Sequence, residues 1–208
     1  MVAALPPCRL YLELPPVASA TLDAALRHTL GAVDLACLLR RDGGVPVDVA
    51  WDARLRELTD ARGVAFLIEN DAERAERIGA DGVHIVADAS LYRQAREHLG
   101  QRAIIGVGCM ENRHTAMTMA ELGADYVAFG PAPGDGEADQ RAERIAWWAE
   151  IFVVPCVAFD VETPEEAERL AGLGADFIAV STAVWQAEDA SHRIAAIGAA
   201  LTRARTAV

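Results

Sequence analysis

A short motif occurs three times in the chain, each time with the same change of character along it. A glycine, an alanine and an aspartate precede an apolar run, and the copies cover residues 78–85, 122–129 and 173–180. Glycine is suited to end a helix in a left-handed conformation, and an apolar run without alternation is typical of a strand buried on both faces. Each copy therefore predicts the same joint, from a helix through a short polar step into a buried strand.

The spacing of the copies, roughly two strand–helix units, indicates a parallel sheet built by right-handed crossovers. Filling the gaps by the same criteria predicts about eight strands, over residues 9–14, 33–39, 64–68, 82–86, 103–107, 126–130, 153–159 and 177–180. The predicted helices start near Thr21, Val47, Asp71, Asp88, Glu111, Ala138, Pro164 and Glu188. Eight alternations in 208 residues favour one domain over residues 1–208, an α/β fold closed into a compact (β/α)8 TIM barrel.

The charged residues exclude several classes of function. All 19 residues of the Lys+Arg total are arginines, so Schiff-base aldolases, pyridoxal enzymes and P-loop kinases, which need a lysine, are excluded. The formal net charge of -12 disfavours nucleic acid and anionic membranes as partners, because both are bound through clustered cations. A small-molecule ligand is the expected partner, and a homodimer is compatible with this fold.

The chain carries no sign of export or of a membrane anchor. No apolar run approaches the roughly 20 residues of a membrane span, and the first residues lack the basic and long apolar regions of a signal peptide. The four cysteines are far apart, without Cys-x-x-Cys spacing, and we expect them to be reduced packing residues. These features predict a cytoplasmic protein.

Chemistry in a barrel is carried by residues at and just after the carboxyl ends of its strands. Here these positions are unusually acidic. They hold Arg40, Arg41, Asp42, Glu69, Asn70, Asp71, Asp88, Gly108, Cys109, Asp135, Glu137, Asp139, Asp160, Glu162, Ser181 and Thr182. The sequence therefore predicts a polar, mainly acidic functional face.

Several of these residues have two interpretations. Asn70 and Asp71 open a helix, so they either cap it or supply the oxygen ligands that suit Mg²⁺. Ser181 and Thr182 either cap a turn or present hydroxyls and N–H groups to a phosphate. His84, within an apolar strand, is either a hydrogen-bonded core residue or a catalytic base.

The same segments resemble a known family. The block Phe66-Leu67-Ile68-Glu69-Asn70-Asp71, with residues 79–85, 105–107, 122–131 and 174–181, is similar to the signature of thiamine phosphate synthases and their thiazole tautomerase relatives. The resemblance runs from about residue 33 to residue 184 and implies a compact (β/α)8 barrel. It implies a role in thiamine metabolism, where the synthases join an aminopyrimidine pyrophosphate to a thiazole phosphate and release Mg²⁺-bound pyrophosphate.

Transferred residue by residue, the resemblance gives an expected site. Arg40, Asn70, Ser181 and Thr182 are expected to bind substrate or phosphate. Asp71 is the expected Mg²⁺ ligand, with Asp88 as a second carboxylate one position away from the place the family uses. The resemblance thus implies a Mg²⁺ site and identifies no catalytic residue.

Other positions differ from the family pattern in charge. Asp42 stands where the family has a lysine after the second strand, Asp135 falls in its threonine- and lysine-rich loop, and Asp160 replaces part of a Gly-Gly phosphate cradle. Gly108 replaces a serine. Two unit charges 4 Å apart interact by about 4 kcal/mol at an effective dielectric constant near 20, so the acidic substitutions add repulsion to any pyrophosphate. We expect weak ordinary synthase activity and a preference for a cation, either a metal ion or a heterocycle such as a thiazolium.

Three functions stay open on the sequence alone. The first is a divergent member of the family that binds a thiazole- or pyrimidine-type ligand at the carboxyl face of the barrel. The second is a non-catalytic ligand-binding or regulatory relative. The third is a different metal-dependent lyase or isomerase that uses Asp71, His84 and Asp88.

Overall fold

The computed structural model describes residues 7–131 and 137–206, without the side chains of residues 137–139 and 204–206. Eight parallel strands pair in sequence order and close into a barrel. They are β1 (Arg9–Leu14), β2 (Leu35–Arg40), β3 (Ala65–Glu69), β4 (Gly82–Val86), β5 (Ile104–Gly108), β6 (Tyr126–Phe129), β7 (Cys156–Val161) and β8 (Phe177–Val180). The helices are α1 (Ala20–Ala32), α2 (Val49–Asp60), α3 (Ala72–Ile78), α4 (Ala89–Leu99), α5 (Arg113–Leu122), α6 (Glu137–Ile151), α7 (Pro164–Gly172) and α8 (Ala190–Thr206), with a 3₁₀ helix at Thr182–Gln186.

The (β/α)8 barrel predicted from the sequence is therefore confirmed, and most boundaries agree within two residues. The largest difference is β7, which begins at Cys156 and not at residue 153. Pro155 has no N–H to donate to a neighbouring strand, and the Val153 side chain is 99% exposed. The apolar run before Cys156 belongs to the turn after α6 and not to the sheet.

The glycines of the repeated motif end helices as predicted. Gly79, Gly123 and Gly174 have φ angles of 67°, 97° and 100°, in the left-handed region that residues with a Cβ rarely enter. Gly79 and Gly123 are the C-caps of α3 and α5. The chain can therefore turn from each helix directly into the next buried strand.

The aspartates of the motif fasten neighbouring strands together. Each carboxylate accepts a hydrogen bond from a backbone N–H in the strand that precedes its own. The pairs are Asp81 with Phe66 at 2.7 Å, Asp125 with Ile105 at 2.8 Å and Asp176 with Cys156 at 2.8 Å. The repeated aspartate is thus explained by the architecture of the barrel, at its amino-terminal end.

Replacing one of these aspartates tests that role. In Asp176→Ala the N–H of the fully buried Cys156 loses its carboxylate acceptor, and we expect a loss of about 1–3 kcal/mol in the free energy of unfolding. Asp189→Ala is the matched control, because Asp189 is half exposed and paired with Arg193 on one turn of helix. Urea denaturation measures both, and equal small losses would contradict the structural role of Asp176.

The buried side chains form two layers on opposite sides of the strands. An outer layer between sheet and helices includes Leu12, Leu38 and Ile68, while the barrel interior includes Tyr11, Leu39, Leu67, Tyr126 and Phe159. Alternate residues of a strand point to opposite faces. Strand register therefore decides which residue at each strand end reaches the interior.

No helix in the described ranges is long and apolar enough to cross a membrane. Cys8, Cys37, Cys109 and Cys156 are all free thiols.

Candidate functional site

A cavity of about 130 Å3 lies inside the barrel where the strands end. We call it the mouth cavity, and the residues that define it here are Arg41, Glu69, Asn70, His84, Phe159 and Asp160. They come from the carboxyl ends of β2, β3, β4 and β7, the end of a (β/α)8 barrel that carries chemistry. Four of the polar residues predicted at strand ends, Arg41, Glu69, Asn70 and Asp160, therefore line one cavity.

Arg41 lies between two carboxyl groups at the side of this cavity. Its Nη1 atom is 2.5 Å from Oε2 of Glu13, and its Nε atom is 3.0 Å from Oε1 of Glu69. The other oxygen of Glu69 accepts a hydrogen bond from the N–H of Asp42 at 2.8 Å. Arg41 is the one cation that lines the mouth cavity among the described residues, and its charge is already balanced by the protein.

Glu13 is the most deeply buried carboxyl group of this cluster. Its side chain is 1% exposed, and its Oε1 atom lies 3.4 Å from the N–H of Asp160. Burial raises the pKa of Glu13 to about 8, and the charge of Arg41 opposes that rise without cancelling it. At neutral pH Glu13 is therefore mostly protonated, and Glu69 supplies the negative charge beside Arg41.

Near its carboxyl end, β7 contains an irregular backbone turn at Asp160. Asp160 has a φ angle of 58°, and the chain shifts register against β8 between Ala158 and Val161. The indole N–H of Trp185 donates to the backbone carbonyl of Glu13 at 2.8 Å, which fixes the end of β1 beside this turn. Two carboxyl side chains, Glu13 and Asp160, are thereby held on one side of Arg41.

His84 lies at the inner end of the mouth cavity. Its Nδ1 atom is 2.9 Å from the hydroxyl of Tyr126, which in turn is 3.0 Å from the hydroxyl of Tyr11. Its ring stacks on Phe159 with centroids 4.8 Å apart. Burial, aided by the charge of Arg41, lowers the pKa of His84 to about 3. His84 is thus a neutral, hydrogen-bonded interior residue whose ring also faces the cavity.

Arg40 lies on the other side of the sheet. Its Nε atom is 3.6 Å from Asp52, a fully buried carboxylate that also forms two 2.7 Å hydrogen bonds with Arg74. Its Nη1 atom donates to the carbonyls of Pro15 and Arg41. The position assigned to substrate binding from the sequence is therefore packed between sheet and helices, and the neighbouring Arg41 is the arginine that faces the cavity.

The expected metal ligands are both helix caps. Asp71 Oδ1 accepts from the N–H of Arg74 at 2.8 Å, and Asp88 Oδ1 accepts from the N–H groups of Ser90 and Leu91. The neighbouring Asn70, with a φ angle of 53°, accepts from the N–H of Val86 and lines the mouth cavity. Within the described ranges no group of three or more His, Cys, Asp or Glu side chains is arranged to hold a metal ion, so Asp71, His84 and Asp88 do not form such a group.

The two hydroxyl residues after β8 begin the 3₁₀ helix. Ser181 is buried, and its hydroxyl accepts from the N–H of Ala183 at 3.3 Å, while its own N–H donates to the carbonyl of Val161. Thr182 is the first residue of that helix and is partly buried. Both lie after β8, and the capping interpretation accounts for the contacts of Ser181.

Three further positions cannot be compared in the same way. Asp135 falls outside the described residues, as do the side chains of Glu137 and Asp139.

The sequence reasoning gave no role to Glu13, which lies inside an apolar strand. Its signal was present, because Glu13 is two residues after Tyr11 and therefore shares the interior face with it.

Comparisons with known proteins agree with this architecture. Residues 22–184 match the family model described as thiamine monophosphate synthase. The chain is 42% identical over 185 residues to a thiamine-phosphate synthase of Rhodospirillum centenum, an alignment that covers 86% of this chain and 89% of the relative. It is 37% identical over 196 residues to a thiamine-phosphate synthase of Hyphomonas neptunium, covering 88% and 89%.

A solved structure gives the same result for the fold. The thiamine phosphate pyrophosphorylase from Pyrococcus furiosus superimposes with a TM-score of 0.77 at 21% identity, over 94% of this chain and 96% of that one. The family resemblance noted in the sequence is thereby confirmed. With a family match over most of its length and relatives of this similarity, the chain belongs to the thiamine monophosphate synthase family.

Proposed function

We propose that the mouth cavity binds a single-ring heterocycle of thiazole or pyrimidine type, and that the protein serves thiamine metabolism with little ordinary synthase turnover. One observation carries the proposal: Arg41, the cation of the cavity, is held between Glu13 and Glu69. A cation that already has two carboxyl partners contributes little to binding a pyrophosphate. The same carboxyl groups favour a ligand with N–H donors or a positive charge.

The size of the cavity supports a single ring. An engineered cavity of about 150 Å3 in another protein accommodates benzene, and the mouth cavity measures about 130 Å3. Phe159 offers an aromatic wall, and Glu69, Asn70 and Asp160 offer oxygen atoms at the edge. A flat ring with polar substituents matches this combination of one apolar face and several acceptors.

The names of the relatives support the alternative of ordinary synthase activity. Both relatives described above are named thiamine-phosphate synthases, and their chains are covered almost completely. The pairing of Arg41 with Glu13 and Glu69, together with Asp160 at the edge of the cavity, favours ligand binding without efficient coupling in this chain.

Calorimetric titration with three probes tests the proposed ligand class. We expect a thiazole alcohol or an aminopyrimidine alcohol to bind with a Kd at least tenfold lower than that of inorganic pyrophosphate. Gly108→Val should abolish ring binding. A Cβ added at that position would lie 3.1 Å from Nε2 of His84, and the rest of a branched side chain would extend into the cavity. Gly172→Val is the control, since a Cβ there meets nothing within 4 Å. Tighter binding of pyrophosphate than of either ring would contradict the proposal.

Mg²⁺ is a separate part of the proposal. Mg²⁺ is usually held by one or two carboxylates together with water and substrate phosphates, and not by a cage of protein ligands alone. Asp71 and Asp88 suit that mode, because capping engages Oδ1 of each carboxylate and the hydrogen bonds of the described residues do not include Oδ2 of either. When bound, the ion would neutralise charge on a ligand phosphate.

A thermal shift measures this metal site directly. At tenfold over its Kd, Mg²⁺ or Mn²⁺ should stabilise the folded state by about 1.4 kcal/mol and raise the Tm by roughly 2–4 °C. Asp71→Asn should remove the shift while keeping the α3 cap, since asparagine caps helices as well as aspartate. Asp189→Asn, in the turn just before α8, should keep it. An unchanged Tm of the unmodified protein at millimolar metal would refute the metal site.

A further inference from the structure

A second, larger cavity lies at the opposite end of the barrel. It has a volume of about 270 Å3, and we call it the floor pocket, defined by Tyr11, Cys37, Leu67, Tyr126, Val157 and Phe177. The first residues of four strands lie along it: Arg9 of β1, Ala65 of β3, Ile104 of β5 and Phe177 of β8. The floor pocket therefore opens at the amino-terminal end of the strands, away from the mouth cavity.

The side chains of the described residues leave this end of the barrel incompletely filled. The pairing of β1 with β2 shifts by one residue, from Leu10 opposite Leu35 to Tyr11 opposite Cys37, so Ala36 is an extra residue without a partner. Barrel interiors are ordinarily packed with layers of bulky branched side chains. Here Ala36 and Ala65 stand at the opening, and neither side chain is long enough to close it.

The lining of the floor pocket indicates an uncharged ligand. It is mainly aliphatic and aromatic, with the thiol of Cys37 and the hydroxyls of the two tyrosines as its inner polar groups. The charged residues at its rim are already paired, Arg9 with Asp34 at 3.0 Å and Asp125 with Arg96 at 2.7 Å. A charged ligand would lose its hydration without gaining a free partner.

We propose that the floor pocket is a second ligand site, for a neutral aromatic molecule of one or two rings. Its volume is nearly twice that of the cavity of about 150 Å3 that accommodates benzene, and Tyr11, Tyr126 and Phe177 provide aromatic edges and faces. The proposal is independent of the ligand of the mouth cavity. It goes beyond the proposed function because it assigns a binding role to the face opposite the strand ends that carry chemistry.

A hydrogen bond connects a residue that lines the floor pocket with a residue that lines the mouth cavity. Tyr126 lines the floor pocket, and its hydroxyl is 2.9 Å from Nδ1 of His84, which lines the mouth cavity. Gly106 makes this arrangement possible, because a Cβ there would lie 1.8 Å from the ring of Tyr126. Tyr126 therefore separates the cavities sterically, and the floor pocket is a compartment of its own.

Methyl NMR with indole as the probe tests the proposal on the unmodified protein. We expect saturable shifts at the methyl groups of Leu67, Ile104 and Val157, which line the floor pocket. We expect none at Ile194, a residue of α8 that packs in the outer layer. Phenyl phosphate, a charged aromatic of similar size, should bind at least tenfold more weakly. Absence of saturable shifts up to roughly 5 mM indole, which corresponds to a Kd weaker than the millimolar range, or equal affinity for phenyl phosphate, would overturn the proposal.

A pair of matched variants locates the binding. Ala65→Leu places a larger side chain in the opening and should abolish the indole shifts, whereas Ala196→Leu, on an exposed position of α8, should leave them unchanged. If Ala65→Leu fails to fold, Cys37→Leu fills the pocket from its inner side and serves the same purpose. Indole shifts that persist in a folded filling variant, or that appear at Ile85 beside the mouth cavity, would assign the binding elsewhere and refute the floor site. Gly108→Val should leave the indole shifts intact, which separates this result from the test of the mouth cavity.

Discussion

In a coupling assay with the aminopyrimidine pyrophosphate, the thiazole phosphate and Mg²⁺, we expect this protein to turn over about 10²–10³-fold more slowly than an ordinary enzyme of its family. Loss of one preorganised donor to developing charge costs enzymes about this factor, equivalent to roughly 3–4 kcal/mol. Here Arg41 is shared by Glu13 and Glu69, so its charge is not free for a departing pyrophosphate. Asp160 adds a further negative charge near Arg41.

The assay needs a reference enzyme under identical conditions. The thiamine-phosphate synthase of Rhodospirillum centenum, at 42% identity, is a suitable one. Ordinary enzymes have kcat values of about 1–10³ s⁻¹. A kcat within tenfold of the reference would show that the carboxylates around Arg41 do not hinder coupling, and would favour ordinary synthase activity over the proposed ligand-binding role.

The barrel could be predicted from the sequence because its signals are local and repeated. Gly79, Gly123 and Gly174 mark helix ends that the structure confirms through their positive φ angles. The paired role of the aspartates that follow was not evident, because it depends on hydrogen bonds to a neighbouring strand that is 15 to 20 residues away in the chain. The local sequence identifies the connection from helix to strand, whereas the hydrogen bond from the aspartate to the neighbouring strand is a tertiary contact.

The site was less predictable because it depends on strand register. Arg40 and Arg41 are adjacent, and a shift of one residue moves a side chain from one face of a strand to the other. The resemblance selected Arg40, whereas Leu39 packs in the interior and so its neighbour Arg40 points to the helices. Without three-dimensional pairing, no property of either arginine distinguishes them.

Glu13 shows the same limit from the opposite direction. The alternation of strand residues indicates that Glu13 faces the interior, but its partners Arg41 and Asp160 are distant in sequence, so its role could not be predicted. Asp71 and Asp88 differ from it, since the sequence places each at the start of a predicted helix, where a cap can form, and capping is what their contacts display. Their service as Mg²⁺ ligands stays a prediction.

The buried carboxyl of Glu13 predicts an unusual dependence of stability on pH. Its pKa is raised to about 8 from an ordinary value of 4.5, so the folded state binds more protons than the unfolded state between these values. The stability that this proton confers is complete below about pH 4.5 and is lost as the pH rises through 8. The limiting slope for one group is about 1.4 kcal/mol per pH unit, so the total loss amounts to several kcal/mol.

Glu13→Gln removes this proton equilibrium and keeps an acceptor for Arg41. We therefore expect the free energy of unfolding of Glu13→Gln, minus that of the unmodified protein, to increase by several kcal/mol between pH 5 and pH 9, as measured by urea denaturation at about five pH values. His84, whose lowered pKa of about 3 makes both proteins lose stability below about pH 6.5, cancels in this difference. Glu57→Gln, which alters a glutamate that is 73% exposed, is the control and should give a constant difference. A constant difference for Glu13→Gln as well would mean that Arg41 keeps Glu13 ionised at neutral pH, and the cluster would then carry a full negative charge on each side of the arginine.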